Sequence, residues 1–171
     1  MNKFLEAKHW QVFIILIIGL ITANFEIENQ LTLSLTLFLF GVILYMIYPF
    51  LIGYFLQKYV PTNTKLNYNF FIINSFIWIV TYMIIMILSD GQGMSFTGLK
   101  ALAMFYVFFA FIHFLSFPAK TIKTIELGRE AVLGEYIGDF FLVLFLPIGI
   151  WFIQPRLNKI IEMNKIENSD N

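Results

Sequence analysis

Four long apolar runs dominate the sequence, and each holds at most one charged residue. They cover residues 10–25, 31–57, 70–88 and 99–117. A helix needs about 20 predominantly apolar residues to cross a hydrocarbon core about 30 Å thick. The chain is 59% hydrophobic and only 13% charged, whereas soluble domains are about a quarter charged. We therefore predict an all-α, polytopic helical membrane bundle that forms a single integral membrane domain over residues 1–171.

A fifth apolar run, FFLVLFLPIGIWFIQPR, follows at residues 140–156 and carries Pro147 near its middle. Residues 140–153 would make a helix of about 21 Å, which is shorter than most crossings. Pro147 also removes a backbone donor. We predict four spans and a Pro-broken fifth element, about 135–153, that is re-entrant or interfacial. The alternative is five spans, since a helix that began at Glu135 would reach about 28 Å by Ile153.

The distribution of basic residues predicts the orientation. Lys and Arg in short loops accumulate on the cytoplasmic side of a membrane. With four spans and a cytoplasmic N-terminus, Lys100 is the one basic residue outside. The others then lie inside: Lys3, Lys8, Lys58, Lys65, Lys120, Lys123, Arg129, Arg156, Lys159 and Lys165. If the fifth element crossed, the last three would lie outside and weaken the bias. We predict a multi-pass membrane protein with its N-terminus in the cytoplasm.

Charged residues crowd the connector that follows the fourth run. Glu126, Glu130, Glu135 and Asp139 lie there beside Lys123 and Arg129. A solvated amphipathic helix with pairs such as Lys123–Glu126 and Glu126–Arg129 is the favoured interpretation. Four carboxylates could also bind a divalent cation, but the spacing is not that of a calcium loop. Asp139 directly precedes the apolar run and needs a partner at the membrane boundary, for which Arg129 and Arg156 are the candidates.

Two polar residues inside the predicted spans are further candidates. Ionisable groups within membranes are often functional, and His113 near the inner end of the fourth span could relay a proton or bind a ligand. The simpler interpretation is a neutral, hydrogen-bonded histidine at a helix end. Asn74 in the third span is expected to hydrogen-bond to a neighbouring helix. A substrate contact is the alternative for Asn74.

Several chemistries are not indicated. The chain has no cysteine, and its 11 basic and 11 acidic residues balance, so neither a thiolate site nor a nucleic-acid partner is expected. The sequence lacks the H-E-x-x-H, G-x-S-x-G and P-loop motifs. We predict no catalytic residue, no metal and no cofactor.

Two stretches resemble a known group of proteins. FLEAKHWQVF (residues 4–13) and ELGREAVLGEYIGDFFLVLFLPIGIWFIQPRLNKI (residues 126–160) are similar to uncharacterised small multi-span membrane proteins of flavobacterium-like bacteria. The resemblance implies a bacterial, inner-membrane location. It implies no activity, since none is known for the group.

These observations favour a non-enzymatic membrane component that binds a partner or lipid through its inner surface. The basic residues Lys120, Lys123, Arg129, Arg156 and Lys159 could contact anionic lipid head groups. The alternative is a small oligomeric channel or transporter that lines a path with Asn74, His113 or Asp139. The partners expected are the lipid bilayer and either a second copy of the chain or another membrane protein.

Overall fold

The protein is a bundle of α-helices, as its sequence predicts. The computed structural model describes residues 5–169, so Lys3 and Phe4 lie outside the described residues. Helix makes up 78% of the structure, and the described part of the chain has no strand. A 3₁₀ turn (Leu56–Tyr59) follows the second helix. The helices are α1 (His9–Ala23), α2 (Leu31–Phe55), α3 (Tyr68–Leu88), α4 (Leu99–Leu127), α5 (Leu133–Leu144) and α6 (Leu146–Ser169).

Three stretches are long and apolar enough to cross a membrane: Leu31–Tyr59, Tyr68–Leu88 and Leu99–Leu127. Helix α1 is apolar but shorter. Large apolar side chains point outward along the long helices; Phe105, for example, is 71% exposed. Such surface is stable in lipid and costly in water. The fold is therefore that of a helical membrane protein.

The core lies toward one end of the bundle, which we call the base. The base contains residues 5–8, the 3₁₀ turn, residues 60–67 and the C-terminal part of α4. Fully buried side chains concentrate near it, including Ile52, Phe71 and Ile122. The rings of Phe71 and Phe117 stack with centroids 4.4 Å apart and join α3 to α4.

Helices α1 and α2 pack closely because glycines lie where they cross. A Cβ at Gly41 would overlap the Gly19 carbonyl oxygen and the Ala23 nitrogen. Small residues allow such close backbone approach between membrane helices. This contact makes α1 and α2 one helix pair, and α3 and α4 form the other.

Helix α4 extends further than the sequence indicates. The fourth apolar run ends at residue 117, but the helix includes Pro118 and ends at Leu127. Gly128 follows with φ +66°, a left-handed conformation that commonly ends helices and that glycine adopts easily. The last turns of α4 therefore reach past the predicted span and bring Glu126 to the base.

The fifth apolar run folds back on itself. Helix α5 ends at Leu144, Phe145 has non-helical φ and ψ of −102° and 52°, and α6 starts at Leu146. The predicted break is present, but it lies at Phe145 rather than at Pro147. Pro147 falls in the first turn of α6, where a missing N–H costs little. A Cβ at Gly149 would overlap the Leu142 carbonyl oxygen, so the two legs touch near their junction.

Helices α5 and α6 form a helical hairpin, and a contact between its two open ends confirms that the chain reverses. Asp139 and Arg156 would lie about 25 Å apart in one straight helix. Their side chains instead hydrogen-bond directly. One straight fifth helix, the alternative left open by the sequence, does not form.

Candidate functional site

Arg156 links two carboxylates at the open end of the α5–α6 hairpin. Its Nη1 and Nη2 donate to Oδ1 and Oδ2 of Asp139 at 2.5 and 2.8 Å. Its Nε and Nη2 also donate to Oε1 and Oε2 of Glu126 at 2.6 and 2.7 Å. The planar guanidinium suits such paired contacts. Of the two partners that the sequence offered for Asp139, the structure selects Arg156.

The position of this cluster explains its electrostatics. Only 9% of Asp139 is exposed. The hydrogen bonds from Arg156, first to Asp139 and then to Glu126, raise the pKa of its guanidinium despite partial burial. The two carboxylates carry one charge more than Arg156 neutralises. Lys123, with its Nζ 3.7 Å from Glu126 Oε2, supplies the balancing charge.

A second bidentate pair closes the connector between α4 and α5. Arg129 donates from Nη1 and Nη2 to Oε2 and Oε1 of Glu135 at 3.0 and 2.5 Å. Glu135 also accepts the backbone N–H of Val132 at 2.9 Å and so caps the first turn of α5. The Arg129 hydrogen bonds, followed by that of Val132, lower the pKa of Glu135 to about 2.

Two further contacts complete the connector. Lys120 Nζ lies 2.6 Å from Oε1 of Glu130, and this hydrogen bond lowers the pKa of Glu130. The Ala131 N–H donates to the buried hydroxyl of Thr124 at 3.1 Å. We call the eight charged residues of this region the base network. They are Lys120, Lys123, Glu126, Arg129, Glu130, Glu135, Asp139 and Arg156.

The base network is electrically balanced. Four cations face four carboxylates, and every carboxylate is within 4.0 Å of a cation. The Lys123–Glu126 pair was predicted; the Glu126–Arg129 pair is absent, because Glu126 bonds to Arg156 and Arg129 to Glu135. Within residues 5–169 no group of three or more His, Cys, Asp or Glu side chains could hold a metal ion. The network thus fixes geometry and leaves both signs of charge on the surface.

A buried amide, which the sequence analysis missed, ties α6 to the start of the chain. Tyr48 Oη donates to Gln154 Oε1 at 2.6 Å, and Gln154 Nε2 donates to the carbonyl oxygens of Leu5 and Ala7 at 2.6 and 2.9 Å. Gln154 is 0% exposed. Asn158 adds a contact to Gln154 at 3.1 Å. The signal available in the sequence is a lone glutamine within an apolar run.

Nearby aromatic and charged contacts join the start of α1 to α6. The rings of His9 and Trp151 lie 4.6 Å apart between centroids. Lys165 Nζ is 2.9 Å from Glu6 Oε1. The start of α1 and the middle of α6 are therefore neighbours on the same side of the bundle.

The remaining two candidates, Asn74 and His113, lie away from the base network. Asn74 Nδ2 donates to the carbonyl of Phe70 in its own helix at 2.8 Å, not to a neighbouring helix as expected. The ring of His113 packs 4.8 Å from that of Phe70. Within the described residues, Asn74 Oδ1, Trp78 Nε1 and His113 Nδ1 are buried without a hydrogen-bond partner. The structure thus brings together four of the six predicted site residues: Arg129, Glu135, Asp139 and Arg156.

Fold and surface define the class, a helical membrane protein with a charged base. No protein-family model, curated protein or solved structure matches this chain. Its function can therefore be inferred only from its own residues and their geometry.

Proposed function

We propose that this chain is a non-enzymatic membrane component that binds a protein partner through its base. The observation that carries the proposal is an apolar patch among the paired charges. Val132 and Leu133 are each 63% exposed, and Leu127 is 38% exposed. Charged pairs flank them, notably Arg129–Glu135 and Lys120–Glu130. An apolar centre with a polar rim is the usual anatomy of a protein interface.

The balance of charge favours a protein over anionic lipid as the ligand of this surface. A basic residue near an anionic membrane contributes about 1 kcal/mol of binding. The cations of the base network are already paired with carboxylates, so a phosphate would have to compete with an existing bond. A protein can instead add contacts to both signs of charge.

The same pairing supports a non-enzymatic role. A general base or nucleophile must reach a reacting atom within hydrogen-bond distance. The carboxylates here are engaged by guanidinium or ammonium groups. Buried hydroxyls such as those of Ser75 and Thr121 donate to carbonyls of their own helices.

Photo-crosslinking at the patch tests the proposal. A photoreactive amino acid at Leu133 is expected to give one protein adduct of defined mass in membranes of the native host. The matched control position is Leu102, which is 65% exposed but lies near the other end of α4. The adduct should disappear when Arg129→Ala and Glu135→Ala remove the rim. Lipid adducts alone at Leu133, equal to those at Leu102, would overturn the proposal in favour of a lipid-facing patch.

A small oligomeric channel or transporter is the second candidate, supported by two unpartnered buried atoms, Asn74 Oδ1 in α3 and His113 Nδ1 in α4. Buried polar groups without partners cost free energy, and a permeating polar species would satisfy them. Ion or solute flux in liposomes, lost on both Asn74→Leu and His113→Phe, would favour this candidate. Flux through the native protein no greater than that in empty liposomes would reject it, as would native flux that both variants retain.

For location we propose the bacterial inner membrane, with the base on the cytoplasmic side. The charge bias supports this orientation, since most basic residues of the chain lie at or near the base.

A further inference from the structure

A cleft separates the two helix pairs near the middle of the long helices. Between α2 and α3 it holds a cavity of about 240 Å³. On the side facing α4 it holds a second cavity of about 500 Å³. Val42, Met46, Trp78 and Tyr82 line both cavities.

Aromatic side chains of α3 form one wall of this cleft and contact both α2 and α4. Trp78 packs edge-on against Tyr82 at 4.6 Å and against Phe111 of α4 at 5.0 Å between centroids. Tyr82 reaches Phe38 of α2 at 6.4 Å. Helix α2 packs mainly on α1, and α3 packs mainly on α4. The two helix pairs therefore contact each other less closely than the helices within each pair.

The lining of the cleft is suited to hydrocarbon. It contains no charged side chain, and the hydroxyl of Ser75 is occupied by the Phe71 carbonyl at 2.7 Å. Empty apolar cavities stay dry and take apolar ligands. Three methionines also line it: Met46, Met83 and Met104. Unbranched, polarizable methionine side chains adapt to ligands of variable shape.

Size and depth narrow the choice of occupant. The lining residues 42–50 and 75–83 fall in the middle of α2 and α3, at the level of the hydrocarbon core of a bilayer. A transmembrane helix of 10 Å diameter fills about 420 Å³ in a single 5.4 Å turn, so three turns would need well over 1,000 Å³. A narrow flexible chain fits within the cleft, whereas most of a further helix would lie outside it.

We propose that this cleft binds an acyl chain of a membrane phospholipid, held between α2 and the Trp78–Tyr82 face of α3. The site is separate from the base and independent of the partner proposed there. It would make one lipid molecule a resident part of the bundle and fill the space between the helix pairs.

Fluorescence quenching by bromine tests this site directly. Trp10→Phe with Trp151→Phe leaves Trp78 as the single tryptophan of the chain. In vesicles of phosphatidylcholine brominated in mid-chain, we expect Trp78, only 7% exposed, to be quenched as strongly as a lipid-facing reference. The reference is Phe105→Trp in a chain whose three native tryptophans are phenylalanine.

A substitution that fills the cleft distinguishes a lipid chain bound in the cleft from general contact of the protein with lipid. Val42→Phe adds a ring to both cavities and should lower the quenching of Trp78 while leaving that of the reference unchanged. Circular dichroism and gel filtration in detergent check that each variant is folded. Weak quenching of Trp78 in the parent single-tryptophan protein would overturn the proposal, as would strong quenching that Val42→Phe does not change in a folded protein.

Discussion

At the scale of single residues, Arg156 holds the hairpin closed. It is the shared partner of Asp139 on α5 and Glu126 on α4. Three elements therefore depend on one side chain. Removing it leaves two carboxylates without their main partner in a partly buried position, which is more costly than losing a surface pair.

Arg156→Ala is expected to lower the free energy of unfolding by about 1–3 kcal/mol, below the 3–5 typical of fully buried pairs because the Arg156 side chain is 26% exposed. Denaturant titration of the purified protein in detergent measures the loss. Lys159→Ala, at an exposed position on the same helix, is the control. The role assigned to Arg156 would be wrong if both variants unfolded alike.

The hydrogen bonds of Gln154 lead to a second prediction at the scale of single residues. Gln154→Leu removes the acceptor of the Tyr48 hydroxyl and a donor to the carbonyls of Leu5 and Ala7. Each unsatisfied buried group costs about 1–3 kcal/mol. Because these carbonyls belong to the segment before α1, amide hydrogen exchange over residues 5–8 should accelerate. Unchanged exchange in a variant that remains folded would contradict the contact.

The lowered pKa of Glu135 predicts that the stability of the protein depends on pH. Its pKa in the folded protein is about 2, below its ordinary value of 4.5, because of Arg129 and the Val132 N–H. The unfolded chain therefore binds the proton first, and the contribution of Glu135 to stability is complete above pH 4.5 and lost as the pH falls through about 2. The stability difference between the native protein and Glu135→Gln, followed by denaturant titration, should shrink over this window. A difference that stays constant from pH 5 to pH 2 would contradict the pairing.

At the scale of elements, the hairpin depends on a glycine. A Cβ at Gly149 would meet the backbone of Leu142, whereas one at Gly138 would meet nothing within 4 Å. Gly149→Ala should therefore separate the legs and destabilise the protein. Gly138→Ala, inside α5, should stabilise it by about 0.5–1 kcal/mol through helix propensity alone. Thermal unfolding in detergent compares them; equal shifts would show that the legs do not touch as described.

The elements show what the sequence could and could not predict. The lengths of the apolar runs predicted the first four helices, because the length and composition of a run can be read from the sequence without knowing how the helices pack. Where a helix breaks was harder to predict, because the effect of a proline depends on its position in the helix. Pro118 lies within α4, and Pro147 sits in the first turn of α6.

The partners of polar residues were harder to predict than the helices. The sequence offered two arginines as partners of Asp139, and only the reversal of the chain at Phe145 selects Arg156. Nothing local connects Gln154 to Tyr48, which is 106 positions away in sequence. Side-chain pairing across distant elements depends on how the helices pack, and a single sequence does not show that.

At the scale of the whole molecule, the hairpin returns the chain to the base of the bundle. The contacts of Gln154 with Leu5 and of Lys165 with Glu6 place α6 beside the start of the chain. The base network, the proposed partner surface, the start of α1 and the C-terminal part of α6 then lie at the same end of the bundle. The cleft between the helix pairs lies at a separate level, near the middle of α2 and α3.

Reporter fusions at the C-terminus in bacterial cells test this arrangement most directly. A fluorescent protein that matures only in the cytoplasm should be bright, and alkaline phosphatase, which is active only in the periplasm, should be inactive. The same pair fused to the N-terminus should report the same side. An active C-terminal phosphatase, together with a cytoplasmic N-terminus, would show that the fifth apolar run crosses the membrane and would contradict the hairpin.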